Sequence, residues 1–488
     1  MNGPGIEVGP LVDGVLRRSE SEHKVIVTNP STGQRLYAAP IGCDSDADSA
    51  VQAARRSFED GRWSDAPPSF RGKILRRLSE LMEAESSFLD ALDAEEMGKP
   101  VSEVFCNAAS AAALMRFYGE AVDKVTGEVY TSDTPTLAVQ RLAPRGVVAA
   151  IVPWNFPTFN TILKIAPALA GGNCVVLKPS ELSSRSAIRI GQLALQAGIP
   201  SGVLNVVPGI GQTVGRALGM HHDVDMMTFT GSSAVGKMML EYAGRSNMKV
   251  VMAECGGKSP QIVFDDGVDL DAAAQSIARL LVTNQGQICS VGSRLLVQRS
   301  IQDVVVQKIL EQLTKVVMGD ASDPKTTYGP IVSAKQQERV LNYIEIGSAQ
   351  GAKRVYGGKR KLAETGGFFV EPTVFTDVLP GARIAQEEIF GPVLSVIPFE
   401  DGAEAIRIAN GTAYGLVAYV WTNNFSTAMR VAKGVRSSVI VNGAAPRGEG
   451  SGHAFSHEPI GASGVGTEHG LAGMQSYMRR HLICFNHA

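Results

Sequence analysis

The chain has 488 residues, 44% of them hydrophobic, and its 46 lysine and arginine residues nearly balance 48 aspartate and glutamate residues, for a formal net charge of −2. A chain of this length commonly folds as about two to four domains, and its apolar content excludes a largely disordered protein. The balanced charge argues against a nucleic-acid partner, which needs a basic field, and favours a small molecule.

Neither the N-terminus nor the hydropathy pattern indicates export or membrane insertion. Asp13, Glu20 and Glu22 interrupt the region where a signal peptide has its apolar core, and no later stretch offers about 18 uninterrupted apolar residues. The 6 cysteines include no C-x-x-C pair, and the 8 histidines form no H-E-x-x-H motif. We therefore expect reduced thiols, a cytoplasmic location and no metal site.

Helical periodicity dominates the first part of the chain. Apolar residues recur every three or four positions from Ser49 to about Lys99, where Gly98-Lys99-Pro100 ends the pattern, and a second helical stretch covers Val101–Tyr118. Strands and helices then alternate, which predicts βαβ units and a mostly parallel sheet. The predicted strands are Val147–Val152, Cys174–Leu177, Val203–Val207, Met226–Phe229 and Lys249–Met252, and the helices are Ser183–Ala197, Gln212–Leu218 and Ala234–Tyr242.

A second α/β series follows, with apolar runs at Leu295–Val297, Val393–Pro398, Val417–Trp421 and Val439–Val441. The polar, strand-prone insertion Glu128–Arg141 has no obvious pairing partner in its own sheet, so we expect an arm that leaves its domain and invites association. The segment Gly443–Gly452 is rich in glycine, alanine and serine, which predicts a mobile connection.

Three polar side chains stand where chemistry can be expected. Cys289 lies in the glycine-containing loop NQGQICS, and such a loop suits an accessible thiol, although a cysteine is more often a buried small hydrophobe. Glu254 ends a β-rich run, where a carboxylate in an apolar setting can have a raised pKa and act as a base, or can be a surface charge. Asn155 follows the strand Val147–Val152 and could donate to an oxyanion or belong to a plain turn.

One of two glycine motifs, together with one charged motif, suggests a phosphate-containing ligand. The stretch Gly231–Lys237 matches G-x-x-x-x-G-K, but Met238 replaces the Ser or Thr of a P-loop, so its backbone N–H groups suit a pyrophosphate without triphosphatase chemistry. The stretch Gly209–Gly215 misses the dinucleotide fingerprint by one place and is interpreted as an ordinary strand-to-helix turn. Lys178 and Glu181 follow a buried strand, where both could bond ribose hydroxyls, and Glu181 would repel a 2′-phosphate, which favours NAD.

Six motifs, in order along the chain, resemble those of the aldehyde dehydrogenase superfamily: PWNFP from Pro153, KPSE from Lys178, FTGSSAVG from Phe229, ECGGKSP from Glu254, NQGQIC from Asn284 and EEIFGPV from Glu387. The resemblance implies an α/β fold with a Rossmann-like cofactor domain at 1–124 and 146–256 and a second α/β catalytic domain at 257–465. It also implies a small β oligomerisation arm at 125–145 with a C-terminal tail at 466–488, and a homodimer or homotetramer.

The resemblance further implies NAD-dependent oxidation of an aldehyde to the carboxylic acid. Cys289 would attack the aldehyde, Asn155 would hold the thiohemiacetal oxyanion, and Glu254 would activate the water that hydrolyses the thioester. Lys164 is counted with these catalytic residues. The implied cofactor residues are Ile151, Val152, Pro153, Trp154, Lys178, Ser180, Glu181, Gly211, Gly215, Phe229, Thr230, Gly231, Ser232, Val235, Gly256, Glu388 and Phe390, and the implied substrate tunnel is Phe156, Phe159, Asn160, Leu163, Ile288, Ser290 and His457.

Two departures from the family pattern affect these expectations. Cys255 stands where leucine is more usual, beside the proposed base, and His457 replaces an aromatic residue of the tunnel. A coenzyme-A-acylating relative and a non-catalytic protein on the same fold are the alternatives, and retention of Glu254 with Cys289 and Asn155 argues against both. The tunnel has no Arg or Lys pair for an acidic tail, which favours a neutral aliphatic or aromatic aldehyde and leaves aminoaldehydes open.

Overall fold

A computed structural model describes residues 6–133, 135–443 and 453–486; the predicted mobile connection lies outside these ranges except for Gly443. The helices are α1 (Asp44–Glu59), α2 (Pro68–Ala84), α3 (Ser86–Met97), α4 (Ala108–Ala121), α5 (Pro157–Ala170), α6 (Arg185–Ala197), α7 (Arg216–Met220), α8 (Ser233–Arg245), α9 (Leu270–Val282), α10 (Gln302–Leu313), α11 (Ala334–Ala349), α12 (Arg383–Gln386), α13 (Gly402–Ala409), α14 (Phe425–Gly434) and α15 (Gly470–Ser476).

The strands are short and occur along most of the described chain. They are β1 (Leu11–Val12), β2 (Val15–Leu16), β3 (Lys24–Thr28), β4 (Arg35–Pro40), β5 (Glu128–Tyr130), β6 (Thr136–Pro144), β7 (Val147–Ile151), β8 (Cys174–Lys178), β9 (Leu204–Val206), β10 (Met226–Thr230), β11 (Val250–Glu254), β12 (Pro260–Val263), β13 (Arg294–Gln298), β14 (Lys353–Tyr356), β15 (Arg360–Lys361), β16 (Phe369–Val370), β17 (Thr373–Thr376), β18 (Val393–Phe399), β19 (Tyr414–Gly415), β20 (Val417–Trp421), β21 (Ser438–Val441), β22 (Ile460–Gly461), β23 (Gly464–Val465) and β24 (Met478–Asn486).

The helical N-terminal region is more divided than the periodicity predicts. The stretch from Ser49 to Lys99 forms α1, α2 and α3, and it ends where predicted, at Gly98 with a positive φ of 84°. The second helical stretch begins at Ala108 and not at Val101, because the Asn107 side chain caps α4 by accepting a hydrogen bond from the Ser110 N–H at 2.9 Å.

The first sheet has the strand order β2-β1-β9-β8-β7-β10-β11-β23, and its central strands from β9 to β11 are parallel. Strands β7, β8 and β9 are buried at every residue, as parallel strands are when helices cover both faces. Their carboxyl ends meet at one edge of the sheet, where the register places Ile151 beside Lys178 and Thr230 beside Glu254.

A second sheet has the order β14-β17-β18-β13-β12-β20-β21 and is parallel except at its β14 edge. It contains β12, a strand that the sequence pattern does not predict. The short strand β23 returns from the C-terminal part of the chain to the first sheet, where it pairs antiparallel with β11 and sets Gly464 opposite Glu254.

The strand-prone insertion forms a three-stranded sheet with the order β24-β6-β5. As expected, the insertion pairs with no described strand of the first sheet, but it is not an unpaired edge: β6 pairs along nine positions with the C-terminal strand β24, from Pro144 opposite Met478 to Thr136 opposite Asn486. In the described part of the chain, no helix is both long and apolar enough to cross a membrane.

Candidate active site

One large cavity, of about 2320 Å³, collects the residues singled out from the sequence. Its wall includes Asn155 after β7, Glu254 at the end of β11 and Cys289 after α9. These three side chains come from distant parts of the chain, and the carboxyl edge of the first sheet brings two of them to the loop that carries the third.

The loop before Cys289 is held in an unusual backbone conformation. Asn284 and Gln285 have positive φ angles of 46° and 55°, and they are followed by Gly286 at 68°. The Asn284 side chain donates to the main-chain oxygen of Asn155 at 2.7 Å, which ties this loop to the segment after β7. Strained residues persist only where neighbouring contacts fix them, so the loop gives Cys289 a defined position.

The Asn155 side chain is buried and oriented at both of its polar atoms. Its Nδ2 donates to the Gln287 carbonyl at 3.0 Å, and its Oδ1 accepts from Asn160 Nδ2 at 3.2 Å. An amide nitrogen carries two N–H groups, and the bond to Gln287 uses one of them. The second N–H is available to a negatively charged oxygen in the cavity.

Glu254 is buried, with 6% of the residue exposed. Burial, assisted by the negative charges of Glu468 and Glu388, raises its pKa to about 8, while Lys164 and a side-chain hydrogen bond with Cys289 act in the opposite direction. A carboxylate with a pKa near the working pH is suited to accept and release a proton.

Lys164 lies behind the cavity wall and is fully buried, with its ammonium bonded to Glu468. Burial alone would raise the pKa of Glu468, but the charge and hydrogen bond of Lys164 hold it below the ordinary value. Glu468 was not predicted from the sequence. It lies in the C-terminal segment, more than 200 residues after Glu254, and no spacing rule connects the two.

The two cysteines beside this site differ in setting. Cys289 is half-buried in the cavity wall, and burial together with the charges of Glu254 and Glu388 raises the pKa of its thiol well above the usual value. Cys255 is 3% exposed and packs in the core against Gly236 of α8, and burial raises the pKa of its thiol to about 12. Both thiols are neutral at rest, so Cys289 needs a neighbouring base for reaction.

The expected cofactor residues fall into two groups. Nine line the cavity: Pro153, Trp154, Glu181, Thr230, Gly231, Ser232, Gly256, Glu388 and Phe390. The other eight lie outside the cavity wall, on or near the strands and helices of the first sheet: Ile151, Val152, Lys178, Ser180, Gly211, Gly215, Phe229 and Val235. The stretch Gly211–Gly215 forms a π-helical turn after β9, where an ordinary strand-to-helix turn had been predicted.

Several contacts in this region suit a dinucleotide. The enclosed hydroxyl of Thr230 has no hydrogen-bond partner among the described residues, and Ser232 caps α8, whose N-terminus faces the cavity. Lys178 lies 3.9 Å from the carboxylate of Glu181. Glu388 accepts from the Gly257 N–H at 3.1 Å, so its carboxylate is held at the cavity by main-chain contact.

All seven expected tunnel residues line the cavity. Phe156 and Ile288 pack together, with Phe159 against them, which makes the inner wall apolar. The sequence reading missed other lining residues, among them Phe105 and Cys106 before α4 and Phe117 within it. It also missed His453 and His469, which the C-terminal segment brings to the same wall.

Comparisons with known proteins agree with this architecture. The model of the aldehyde dehydrogenase family matches residues 16–483. The NADP/NAD-dependent aldehyde dehydrogenase PuuC of Escherichia coli is 42% identical, over 90% of this chain and 88% of that protein.

Two solved structures resemble the whole fold. The aldehyde dehydrogenase KauB of Pseudomonas aeruginosa has a TM-score of 0.96 and 45% identity, covering 99% of this chain and 97% of that one. The P. syringae indole-3-acetaldehyde dehydrogenase AldA in complex with NAD+ and IAA has a TM-score of 0.96 and 43% identity, with the same coverage of 99% and 97%.

The chain belongs to the aldehyde dehydrogenase family. This confirms the expected α/β fold with cofactor-binding and catalytic parts, and the expected enzyme class. Oxidation of an aldehyde to the carboxylic acid is therefore its reaction.

Proposed function

We propose that the reaction proceeds through covalent intermediates on Cys289, with Glu254 as the base and Asn155 as the oxyanion donor. The observation that carries the proposal is the convergence of these three side chains on one cavity from β11, the segment after β7 and the strained loop after α9. The order of the steps follows from the contacts of these side chains and from the raised pKa values of the Glu254 carboxyl and the Cys289 thiol.

In the first step Glu254 takes the proton of the Cys289 thiol, to which it is hydrogen-bonded, and the sulfur attacks the aldehyde carbon. The negative charge that develops on the aldehyde oxygen is met by the second N–H of Asn155 and by the main-chain N–H of Cys289. After oxidation the acyl group remains on sulfur as a thioester. Glu254 passes the thiol proton to solvent and then takes a proton from water; the water oxygen bonds to the acyl carbon, and the carbon–sulfur bond breaks to release the acid and the Cys289 thiolate.

NAD is the cofactor, as expected from the sequence. When bound, it accepts the hydride that leaves the aldehyde carbon. The unpartnered Thr230 hydroxyl and the capped N-terminus of α8 fit a pyrophosphate, and Glu181 beside Lys178 fits a ribose with free hydroxyls. Trp154 and Phe390, whose rings meet edge to face at 5.3 Å, border the inner end of this region.

The tunnel supports a neutral aliphatic or aromatic aldehyde as substrate. Its inner wall is apolar at Phe156, Phe159 and Ile288, and no Lys or Arg belongs to the seven residues expected around the aldehyde. The name of the P. syringae relative refers to indole-3-acetaldehyde, an aromatic aldehyde that suits such a wall. A curated relative from Pseudomonas aeruginosa is named aminoacetaldehyde dehydrogenase, so small aminoaldehydes belong in the assay as well.

We also propose a homodimer or homotetramer assembled through the sheet formed by β5, β6 and β24. Its apolar side chains are unusually exposed for a monomer surface, with Val129 at 70%, Leu482 at 56% and Phe485 at 54%. In this proposal the chain divides into a cofactor domain (1–124 and 146–256), a catalytic domain (257–465) and an oligomerisation arm with the C-terminal tail (125–145 and 466–488). We also propose a cytoplasmic location, because a reducing compartment keeps the Cys289 thiol reduced.

Two measurements test these proposals. Steady-state oxidation of a panel of aliphatic, aromatic and amino aldehydes with NAD should rank the neutral ones highest in kcat/KM, and a preference for coenzyme A over water as acyl acceptor would contradict the hydrolytic route. Light scattering should show a species larger than the 51.7 kDa chain. Replacing Leu137 of β6 by proline should reduce the mass of the oligomer if the sheet of β5, β6 and β24 forms the contact between subunits.

A further inference from the structure

Three histidines of the C-terminal segment stand in the wall of the cavity: His453, His457 and His469. None of them has a part in the steps described above. His457 is one of the residues expected around the aldehyde, and it brings an imidazole to a wall that is apolar at Phe156 and Ile288. A polar ring in an apolar tunnel affects which aldehydes fit there.

The backbone holds His457 in a defined place. Its N–H donates to the Glu468 carbonyl, and the Glu468 N–H donates to the His457 carbonyl, both at 3.0 Å. Glu468 is itself buried and bonded to the fully buried Lys164. The His457 ring also lies beside that of His469, with centroids 5.2 Å apart and planes inclined by 35°. A group that is fixed before a ligand arrives costs little to order when the ligand binds.

The ring nitrogens of His457 are free for a ligand. Neither of them bonds to another residue in the part of the chain that the structure describes, and neither is enclosed, in contrast to Nδ1 of His469. Because the His457 ring lines the cavity, its nitrogens are open to a bound substrate. An apolar substrate that covers such a nitrogen removes its water and supplies no hydrogen bond in exchange.

The setting of His457 favours a neutral polar group on the substrate. Burial lowers the pKa of this imidazole, so the ring is neutral at neutral pH. A neutral imidazole has one donor and one acceptor nitrogen, and a hydroxyl group can complement either. An ammonium group would lose its hydration in the same buried setting. A carboxylate would stand near Glu468 and Glu254, whose negative charges already disfavour each other.

We propose that His457 selects aldehydes that carry a neutral hydroxyl group, which bonds to a free nitrogen of its ring; this deepens the proposed function and rests on it. The apolar remainder of the substrate packs against Phe156, Phe159 and Ile288. An aldehyde of the same shape without the hydroxyl leaves the nitrogen unpaired, and a site that bonds a hydroxyl discriminates strongly against such an analogue.

The test compares kcat/KM for phenylacetaldehydes with a hydroxyl group at the ortho, meta or para position and for the corresponding methyl compounds, which have a similar size and cannot make the hydrogen bond. In the wild-type enzyme at least one hydroxyl compound should exceed its methyl counterpart about tenfold. In His457→Phe, which keeps a ring and removes both nitrogens, that ratio should fall to about one. His457→Asn, which supplies a donor and an acceptor again, should recover part of the ratio.

The matched control is His221→Gln, at a surface histidine bonded to Asp48, which should keep the wild-type ratio. Because each ratio is taken within one variant, a smaller folded fraction cancels. Methyl compounds that match or exceed every hydroxyl compound in the wild-type enzyme would overturn the selection by His457, and so would a ratio that survives in His457→Phe.

The small aminoaldehydes of the panel supply a charged comparison. One of them exceeding every hydroxyl compound in kcat/KM would also overturn the preference for a neutral group. A wild-type enzyme that forms no NADH with any aldehyde would remove the proposed function together with the selection by His457, whereas each of the other contrary results removes the selection alone.

Discussion

A Cβ atom built on Gly257 would lie less than 3.0 Å from the carbonyl oxygen of Cys289. The chain after β11 therefore passes the main chain of Cys289 with no room for a side chain. The same glycine donates its N–H to Glu388 at 3.1 Å. One residue thus places the proposed nucleophile next to the strand that carries Glu254 and also holds a carboxylate of the cofactor region.

Gly257→Ala should reduce kcat/KM by about 100-fold. The added methyl group would displace the Cys289 main chain, and a displacement of about 1 Å between the thiol sulfur and the aldehyde carbon is enough for a loss of that size. The matched control is Gly244→Ala in α8, where a Cβ meets nothing within 4 Å. That variant should keep its activity. Steady-state kinetics and circular dichroism of both proteins check the prediction, and wild-type kcat/KM in Gly257→Ala would contradict it.

Cys289→Ala should abolish oxidation while leaving NAD binding intact, and Cys255→Ala should retain most of its activity. Cys289 stands in the cavity wall beside Asn155 and Glu254, whereas Cys255 packs in the core against Gly236. NADH formation and NAD binding by fluorescence measure the two properties separately. The opposite pattern would assign the nucleophile to Cys255.

The rate of thioester hydrolysis should rise with pH through about 8, because only the ionised form of Glu254 accepts a proton and its pKa is raised to about 8. Lys164→Gln should shift that rise to higher pH, since the positive charge of Lys164 favours the ionised carboxylate. Lys308→Gln, at a surface ion pair with Asp271, is the control. Pre-steady-state hydrolysis rates across pH give the profile, and an unmoved profile in Lys164→Gln would refute this electrostatic role.

Glu181→Ser should narrow the preference for NAD over NADP. When NADP binds in place of NAD, the Glu181 carboxylate is repelled by the 2′-phosphate and loses its hydrogen bond to the ribose 2′-hydroxyl. One good charged contact is worth ~1.5–3 kcal/mol, which is roughly a tenfold or larger change in affinity. The ratio of kcat/KM for the two cofactors measures the change. Equal values in the unmodified enzyme would rule out the assignment.

The proposed centre could be predicted because its residues stand at positions that sequence rules recognise. Asn155 and Glu254 follow or end buried strands, and parallel strands present their carboxyl ends at one edge. Cys289 lies in a polar loop after an amphipathic helix. Each of these signals depends on a short stretch of sequence, and the order of the six motifs along the chain indicates the aldehyde dehydrogenase family.

The residues that were missed depend on contacts between distant parts of the chain. Glu468 and His469 reach the site because β23 pairs with β11, and a two-residue strand leaves no periodic signal. The partner of β6 is β24, with Thr136 opposite Asn486, and neither strand indicates the other in the sequence. Periodicity also predicted one helical stretch from Ser49 to Lys99, because the breaks between α1, α2 and α3 lie within a pattern that continues across them.

The most direct test of the covalent route is the intact mass of Glu254→Gln after one turnover with NAD and a neutral aromatic aldehyde. Without the base for the thiol and for water, this variant should release its first equivalent of NADH slowly, stall, and carry the acyl group of the substrate, which peptide mapping should place on Cys289. Undiminished steady turnover, or an acyl group on any residue other than Cys289, would contradict the account.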